Sequence, residues 1–214
     1  MERVAFAWDG GTVSGARHLP RPGAGTWLVL AHGAGGNLDT PQLVRIAEAL
    51  AERGIGVVRF NFPYAERGRK SPGSPAEAIA CFRAVAADVV RDASRLLIGG
   101  KSYGGRMASH LAAEGHRVDG LVFFGYPLHA PGKVDRLRDA HLRDVRAPML
   151  FLQGTRDSFA RLDLIEKTVA SLPAATLRIV EGADHSFAVP GRQQPDVIVE
   201  LTAAVDGWIQ DAVR

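Results

Sequence analysis

The chain holds one cysteine, Cys81, in 214 residues, which excludes an intramolecular disulfide and gives no sign of an oxidising compartment. Cys81 lies in the apolar helical pattern of Ile79, Phe82, Val85 and Val89, where a small buried thiol is expected. Aromatic residues make up only 7%. The net charge of +3 is spread over bases interleaved with acids, as in Arg136-Leu137-Arg138-Asp139 and Arg143-Asp144-Val145-Arg146. That is a solvated surface, without the basic face and interleaved aromatics that a nucleic-acid partner needs. No stretch approaches the roughly 18 uninterrupted apolar residues of a membrane span, and the opening Met-Glu-Arg-Val-Ala-Phe-Ala-Trp-Asp has no long apolar region. No membrane partner is expected, and a cytoplasmic location is the default. The histidines show no metal-ligand spacing, so neither metal nor cofactor is expected.

What is present is an ordinary globular composition, 46% hydrophobic and 23% charged, sized for one domain over residues 1–214. Val4–Trp8 and Val13–Leu19, around the turn signal Asp9-Gly10-Gly11, read as an opening hairpin. Short apolar runs at 27–31, 57–61, 96–98, 118–124, 149–153 and 176–180 then read as buried strands. Helical patterns stand between them. One begins at Thr40-Pro41 and stops at Gly54, one begins at Ser74-Pro75-Ala76-Glu77 as a capping box, and the last carries Leu201, Val205, Trp208 and Ile209. Residues 62–73 read as a polar loop at a site rim, and Tyr126–Ala147 as an Arg-rich segment of weak periodicity. Strands alternating with helices imply an α/β fold, a mostly parallel sheet with helices on both faces. In such sheets ligands sit beyond the carboxyl ends of the strands.

Those ends carry the chemistry. Gly100-Lys101-Ser102-Tyr103-Gly104 fits the G-x-S-x-G nucleophile elbow, a strained turn that lifts a serine hydroxyl above the sheet. With 24 glycines in the chain, chance supplies only about 0.1 such matches, and the strand before and helix after raise its weight. A P-loop ending in Gly100-Lys101-Ser102 would need glycine at 95, which is Arg. Gly33-x-Gly35 fails as a dinucleotide fingerprint because position 38 is Leu. After the 149–153 strand comes Asp157, and after the 176–180 strand comes His185. A serine hydroxyl needs a neutral imidazole to take its proton and a carboxylate to orient that imidazole. Ser102 is therefore the expected nucleophile, His185 the base and then acid, and Asp157 the orienter, with Asp163 and Asp184 as competing acids. The Tyr103 and Ala34 N–H groups are the expected oxyanion donors. His32, Gly33 and Lys101 are placed in the substrate-binding set, with His32 also suited to bracing the oxyanion loop and Lys101 suited to an acidic substrate group or a structural ion pair.

Six segments carry a family resemblance. They are Ala31-His32-Gly33-Ala34-Gly35, Phe60-Asn61-Phe62-Pro63-Tyr64, Gly99 to Met107, Gly125-Tyr126-Pro127-Leu128-His129, Gln153-Gly154-Thr155-Arg156-Asp157 and Ala183-Asp184-His185-Ser186-Phe187. The chain resembles small alpha/beta hydrolases of the dienelactone-hydrolase-like type. More narrowly, it resembles the family that includes the testis-expressed hydrolase-like proteins and a subunit of a histone-acetyltransferase complex. The resemblance implies an alpha/beta-hydrolase fold with an intact Ser-Asp-His site. Dienelactone hydrolases have cysteine where Ser102 stands, which points away from lactone opening.

The expected activity is cleavage of small or accessible carboxylic esters by a lidless serine hydrolase, because 126–147 is too short for a cap domain. The alternatives are a non-catalytic interaction module on the same scaffold, and an acyltransferase or thioesterase.

Overall fold

The structure is a computed structural model that describes residues 1–20 and 25–213. Its strands are β1 (Glu2–Trp8), β2 (Gly11–His18), β3 (Thr26–Ala31), β4 (Gly56–Phe60), β5 (Arg95–Lys101), β6 (Gly120–Phe124), β7 (Met149–Gly154) and β8 (Ala175–Val180). They form one sheet in the order β1-β2-β4-β3-β5-β6-β7-β8. β2 runs antiparallel to both β1 and β4, and every other pairing is parallel.

The helices are α1 (Pro41–Glu52), α2 (Pro63–Glu66), α3 (Pro75–Val89), α4 (Tyr103–Ala113), α5 (Leu162–Ala170) and α6 (Gln194–Ala212). α1 and α6 cover one face of the sheet, while α3, α4 and α5 cover the other. The period of two along a strand explains how such short runs serve both layers. Leu28 and Leu30 pack under α1 and α6, whereas Trp27, Val29 and Ala31 face α3 and α4. Among the described residues no helix is long and apolar enough to cross a membrane.

The local signals read from sequence need three corrections. Ser74 and Glu77 form no capping box, because Glu77 is drawn to Arg67 at 2.6 Å and Ser74 makes no side-chain cap bond. Thr40 precedes α1 without capping it, since its hydroxyl accepts the Asn37 N–H instead. The start of the 62–73 loop is core: Phe62 is fully buried, Tyr64 nearly so, and α2 forms there. Phe62 and Tyr64 join His32 and Tyr103 in an aromatic cluster beneath the carboxyl ends of β3 and β4.

Segment 126–147 does not form a separate cap. A 3-10 turn, Ala140–Asp144, packs it against α4. The Tyr126 hydroxyl donates to the Arg138 carbonyl at 2.8 Å, and the Arg138 N–H donates to the Leu128 carbonyl at 2.7 Å.

Candidate active site

β5 ends at Lys101 and α4 begins at Tyr103, which leaves Ser102 alone to make the turn. Its backbone is forced to φ +51° and ψ −113°, a region that costs about 1–3 kcal/mol for a residue with a side chain. Close approach explains the flanking glycines. A Cβ on Gly100 would lie 2.5 Å from the Ala31 carbonyl oxygen, and a Cβ on Gly104 would meet the same atom at 2.5 Å.

Three segments then converge on one rim. His185 Nε2 lies 2.9 Å from Ser102 Oγ, and His185 Nδ1 lies 2.7 Å from Asp157 Oδ2. The Asp157 side chain is fully enclosed. Its Oδ2 also accepts from Gln153 Nε2 at 2.5 Å, and its Oδ1 accepts the Phe159 N–H at 2.7 Å. Donors on both oxygens fix the carboxylate, so the imidazole it faces is held in the tautomer with hydrogen on Nδ1 and a free lone pair toward Ser102. Phe159 covers the ring, with centroids 4.3 Å apart.

The competing acids are engaged elsewhere. Asp184 Oδ1 accepts the N–H groups of Ser186 and Ala188 and shapes the His185 loop, while Asp163 is paired with Arg161 in solvent. Phe187, the other non-glycine residue at positive φ among those described, turns that loop back into the core.

The segment after β3 reaches the elbow. A methyl placed on Gly33 would sit 3.6 Å from Ser102 Cβ. Among the described residues the Ala34 and Tyr103 N–H groups have no partner within the chain, and Tyr103 stands at the first position of α4, where helix N–H groups are unpaired and the dipole favours negative charge.

His32 and Lys101 are both drawn inward, and with Gly33 they line a small cleft beside Thr40, Gln42 and Leu43. His32 is fully buried; its Nδ1–H donates to the Gly33 carbonyl at 2.8 Å and its Nε2 accepts the Phe62 N–H at 3.1 Å. Burial lowers its pKa to about 4, opposed only by the Gly33 bond. It is a neutral brace for the segment after β3. Lys101 turns its ammonium inward: Nζ is enclosed without a hydrogen-bond partner, 5.8 Å above the Phe187 ring. Burial lowers its pKa to about 8 against the pull of Asp157 and Asp184.

Sequence reading missed Gln153 and Tyr64. Gln153 orients Asp157 while its Oε1 accepts the Tyr126 N–H at 3.0 Å, and the Tyr64 hydroxyl donates to the Gly33 carbonyl at 3.3 Å. A polar side chain ending a strand buried on both faces was the available signal for Gln153. Among the described residues no cluster of His, Cys, Asp and Glu is disposed to hold a metal ion. A broad groove of about 1010 Å³ involving Leu96, Asp119 and Ala147 opens at the amino ends of the strands, away from Ser102.

Residues 24–210 match the family model described as an alpha/beta hydrolase domain. Solved structures share the architecture. An alpha-beta serine hydrolase homologue from Coxiella burnetii is 19% identical with a TM-score of 0.78 over 96% of each chain. A serine hydrolase without lid from Xanthomonas campestris is 24% identical, TM-score 0.72, over 97% of this chain and 94% of that one. A dienelactone hydrolase from Anabaena variabilis is 21% identical, TM-score 0.78, over 100% and 98%.

Proposed function

The chain belongs to the alpha/beta hydrolase domain family, and from that membership we propose that it is a serine hydrolase cleaving small or accessible carboxylic esters through an acyl-enzyme on Ser102. The observation that carries the proposal is the unbroken line from Ser102 Oγ through His185 to Asp157, at 2.9 and 2.7 Å. Ser102 Oγ attacks the ester carbonyl carbon as its proton passes to His185 Nε2, and Asp157 stabilises the resulting imidazolium. The tetrahedral oxyanion is received by the Tyr103 and Ala34 N–H groups, each such donor being worth about 10²–10³ in rate. Collapse expels the alcohol, which takes the proton from His185. Water then repeats the sequence on the acyl-enzyme and releases the acid.

The absence of a cap over 126–147 supports small or freely accessible acyl groups. A cytoplasmic setting is part of the same proposal, supported by the lone buried Cys81. So is the narrower likeness to the testis-expressed hydrolase-like proteins, which rests on Gly99–Met107 and Ala183–Phe187. A fluorophosphonate probe is expected to label wild type and to leave Ser102→Ala unlabelled. Equal labelling of both, or of neither, refutes the acyl-enzyme. With nitrophenyl esters of increasing length, turnover is expected to fall as the acyl chain grows, and acyl transfer to added methanol outrunning hydrolysis would mark a transferase instead.

A further inference from the structure

Behind the reacting groups the chain encloses an ammonium that nothing answers. Lys101 Nζ is shut off from solvent and has no hydrogen-bond partner among the described residues. A charge so placed is costly, and its presence calls for a reason. Its stem passes beside the nucleophile, since a methyl on Gly33 would lie 3.6 Å from Lys101 Cγ and 3.6 Å from Ser102 Cβ. Its end then turns away, to 5.8 Å over the Phe187 ring.

That end lies beside the acid and the base. A methyl placed on Gly125 would be 3.0 Å from Lys101 Nζ, 3.4 Å from the His185 carbonyl oxygen and 3.5 Å from Asp157 Oδ2. All three atoms border one small space over a glycine, and this Oδ2 is the oxygen 2.7 Å from His185 Nδ1. Lys101 therefore stands within the range over which charges move one another's ionisation, although it hydrogen-bonds to neither side chain.

Few other charges face this space. Asp157 comes from the segment after β7 and Asp184 from the segment after β8. The segment after β3 presents His32, whose pKa burial lowers to about 4, so it is neutral. From α1 and the residue before it come Gln42 and Thr40, which carry no charge, and from α6 Gln194 reaches the Phe187 carbonyl. Phe159 covers the far side of the His185 ring. Burial lowers the Lys101 pKa to about 8, opposed by Asp157 and then Asp184. The ammonium is thus charged throughout the range in which histidine ordinarily titrates.

We propose that Lys101 is a positioning residue of this site: its enclosed ammonium holds Asp157 ionised and keeps the resting His185 in its base form, which extends hydrolysis to lower pH. The proposal rests on the hydrolase reading and adds a residue to it. Protonating His185 in the free enzyme would set a second cation beside Asp157, and Lys101 opposes that by like charge. In the transition state the imidazolium forms together with an oxyanion, so the same ammonium meets two opposite charges whose effects on it largely cancel. The penalty falls on the protonated resting enzyme, the form that cannot catalyse.

The test removes the charge and keeps the bulk. In Lys101→Met the acid limb of kcat/KM for 4-nitrophenyl acetate is expected about half a pH unit or more above that of wild type, which is about a threefold loss at the low end, while the plateau changes by less than that. Titration of His185, followed by NMR of nitrogen-labelled histidine, should show the same displacement without any need for turnover. The His185 titration decides: raised in the folded variant, it supports the proposal, and unmoved, it overturns it. Should wild type show neither turnover nor fluorophosphonate labelling, the hydrolase reading falls, and the NMR titration still tells whether Lys101 governs His185. Lys101→Gln, also uncharged, takes over if the methionine variant does not fold. Failure of both to fold overturns the proposal in favour of a purely structural lysine.

Discussion

Gln153 Nε2 approaches Asp157 Oδ2 to 2.5 Å, the same oxygen that faces His185. The other end of the Gln153 amide is fixed by the Tyr126 N–H, so this side chain has one orientation available and passes it to the carboxylate. Gln153→Leu is expected to lower kcat for ester hydrolysis about 10- to 100-fold with little change in KM, the range typical when an orienting outer partner is lost. Gln153→Glu puts a second carboxyl beside Asp157. Like charges so close share a proton, and the acid limb of the kcat/KM profile should move to higher pH. Profiles of the two variants separate charge from packing: an unmoved limb in Gln153→Glu contradicts this account.

The positive φ of Ser102 is a cost that function requires and stability does not. Ser102→Gly and Ser102→Ala should both be inactive. Only glycine relaxes at that backbone position, so Ser102→Gly should be the more stable by about 1 kcal/mol, after the entropy that glycine loses on folding. Urea midpoints of the two variants measure the difference.

Gly104→Ala places a methyl 2.5 Å from the Ala31 carbonyl oxygen and 2.7 Å from the His32 carbonyl oxygen. Backbone atoms cannot rotate away as a side-chain end can. The variant should lose about 3 kcal/mol or more, in line with strain at a special backbone position. Gly115→Ala, which meets only its own φ of +91°, should lose about 1 kcal/mol. Equal melting temperatures for the two would exclude the close approach as the cause.

Acid should unfold this protein through its buried imidazoles. His32 is lowered to about 4 by burial. His18 is lowered to about 4 by burial, then by Arg59, whose Nε–H it accepts at 3.1 Å. Both rings bind protons more weakly folded than unfolded. Their contribution is therefore present above pH 6.5 and lost as pH falls from 6.5 toward 4, by about 3 kcal/mol for the fully buried His32 ring and by less for His18. His32→Asn, which keeps a polar group but does not titrate, should flatten the slope of stability against pH between 6.5 and 5.

The sheet and the converging side chains were legible because they depend on short-range signals. An apolar run, a glycine pair and the order Ser, Asp, His put each residue just past a strand end, and a parallel sheet brings strand ends together whatever the lengths between them. Side-chain direction was not legible. Lys101 sits next to the nucleophile in sequence yet turns its ammonium inward, and the helix starts at Thr40 and Ser74 looked capped although Thr40 accepts from Asn37 and Glu77 pairs with Arg67. Tyr64 was hidden for the opposite reason, because the prolines and charges around it read as a surface loop while its ring was needed beneath Gly33. Such outcomes are settled by what else occupies the space.

The 126–147 segment is bolted to the body of the protein through the Tyr126 hydroxyl, the Arg138 N–H and the His141 ring. Anchored this way, the segment is not free to swing shut over the serine. An acyl group held on the serine would face bulk solvent from the moment it forms, so its lifetime is set by how fast water attacks, and thickening the medium with sucrose should leave turnover of a small ester nearly untouched.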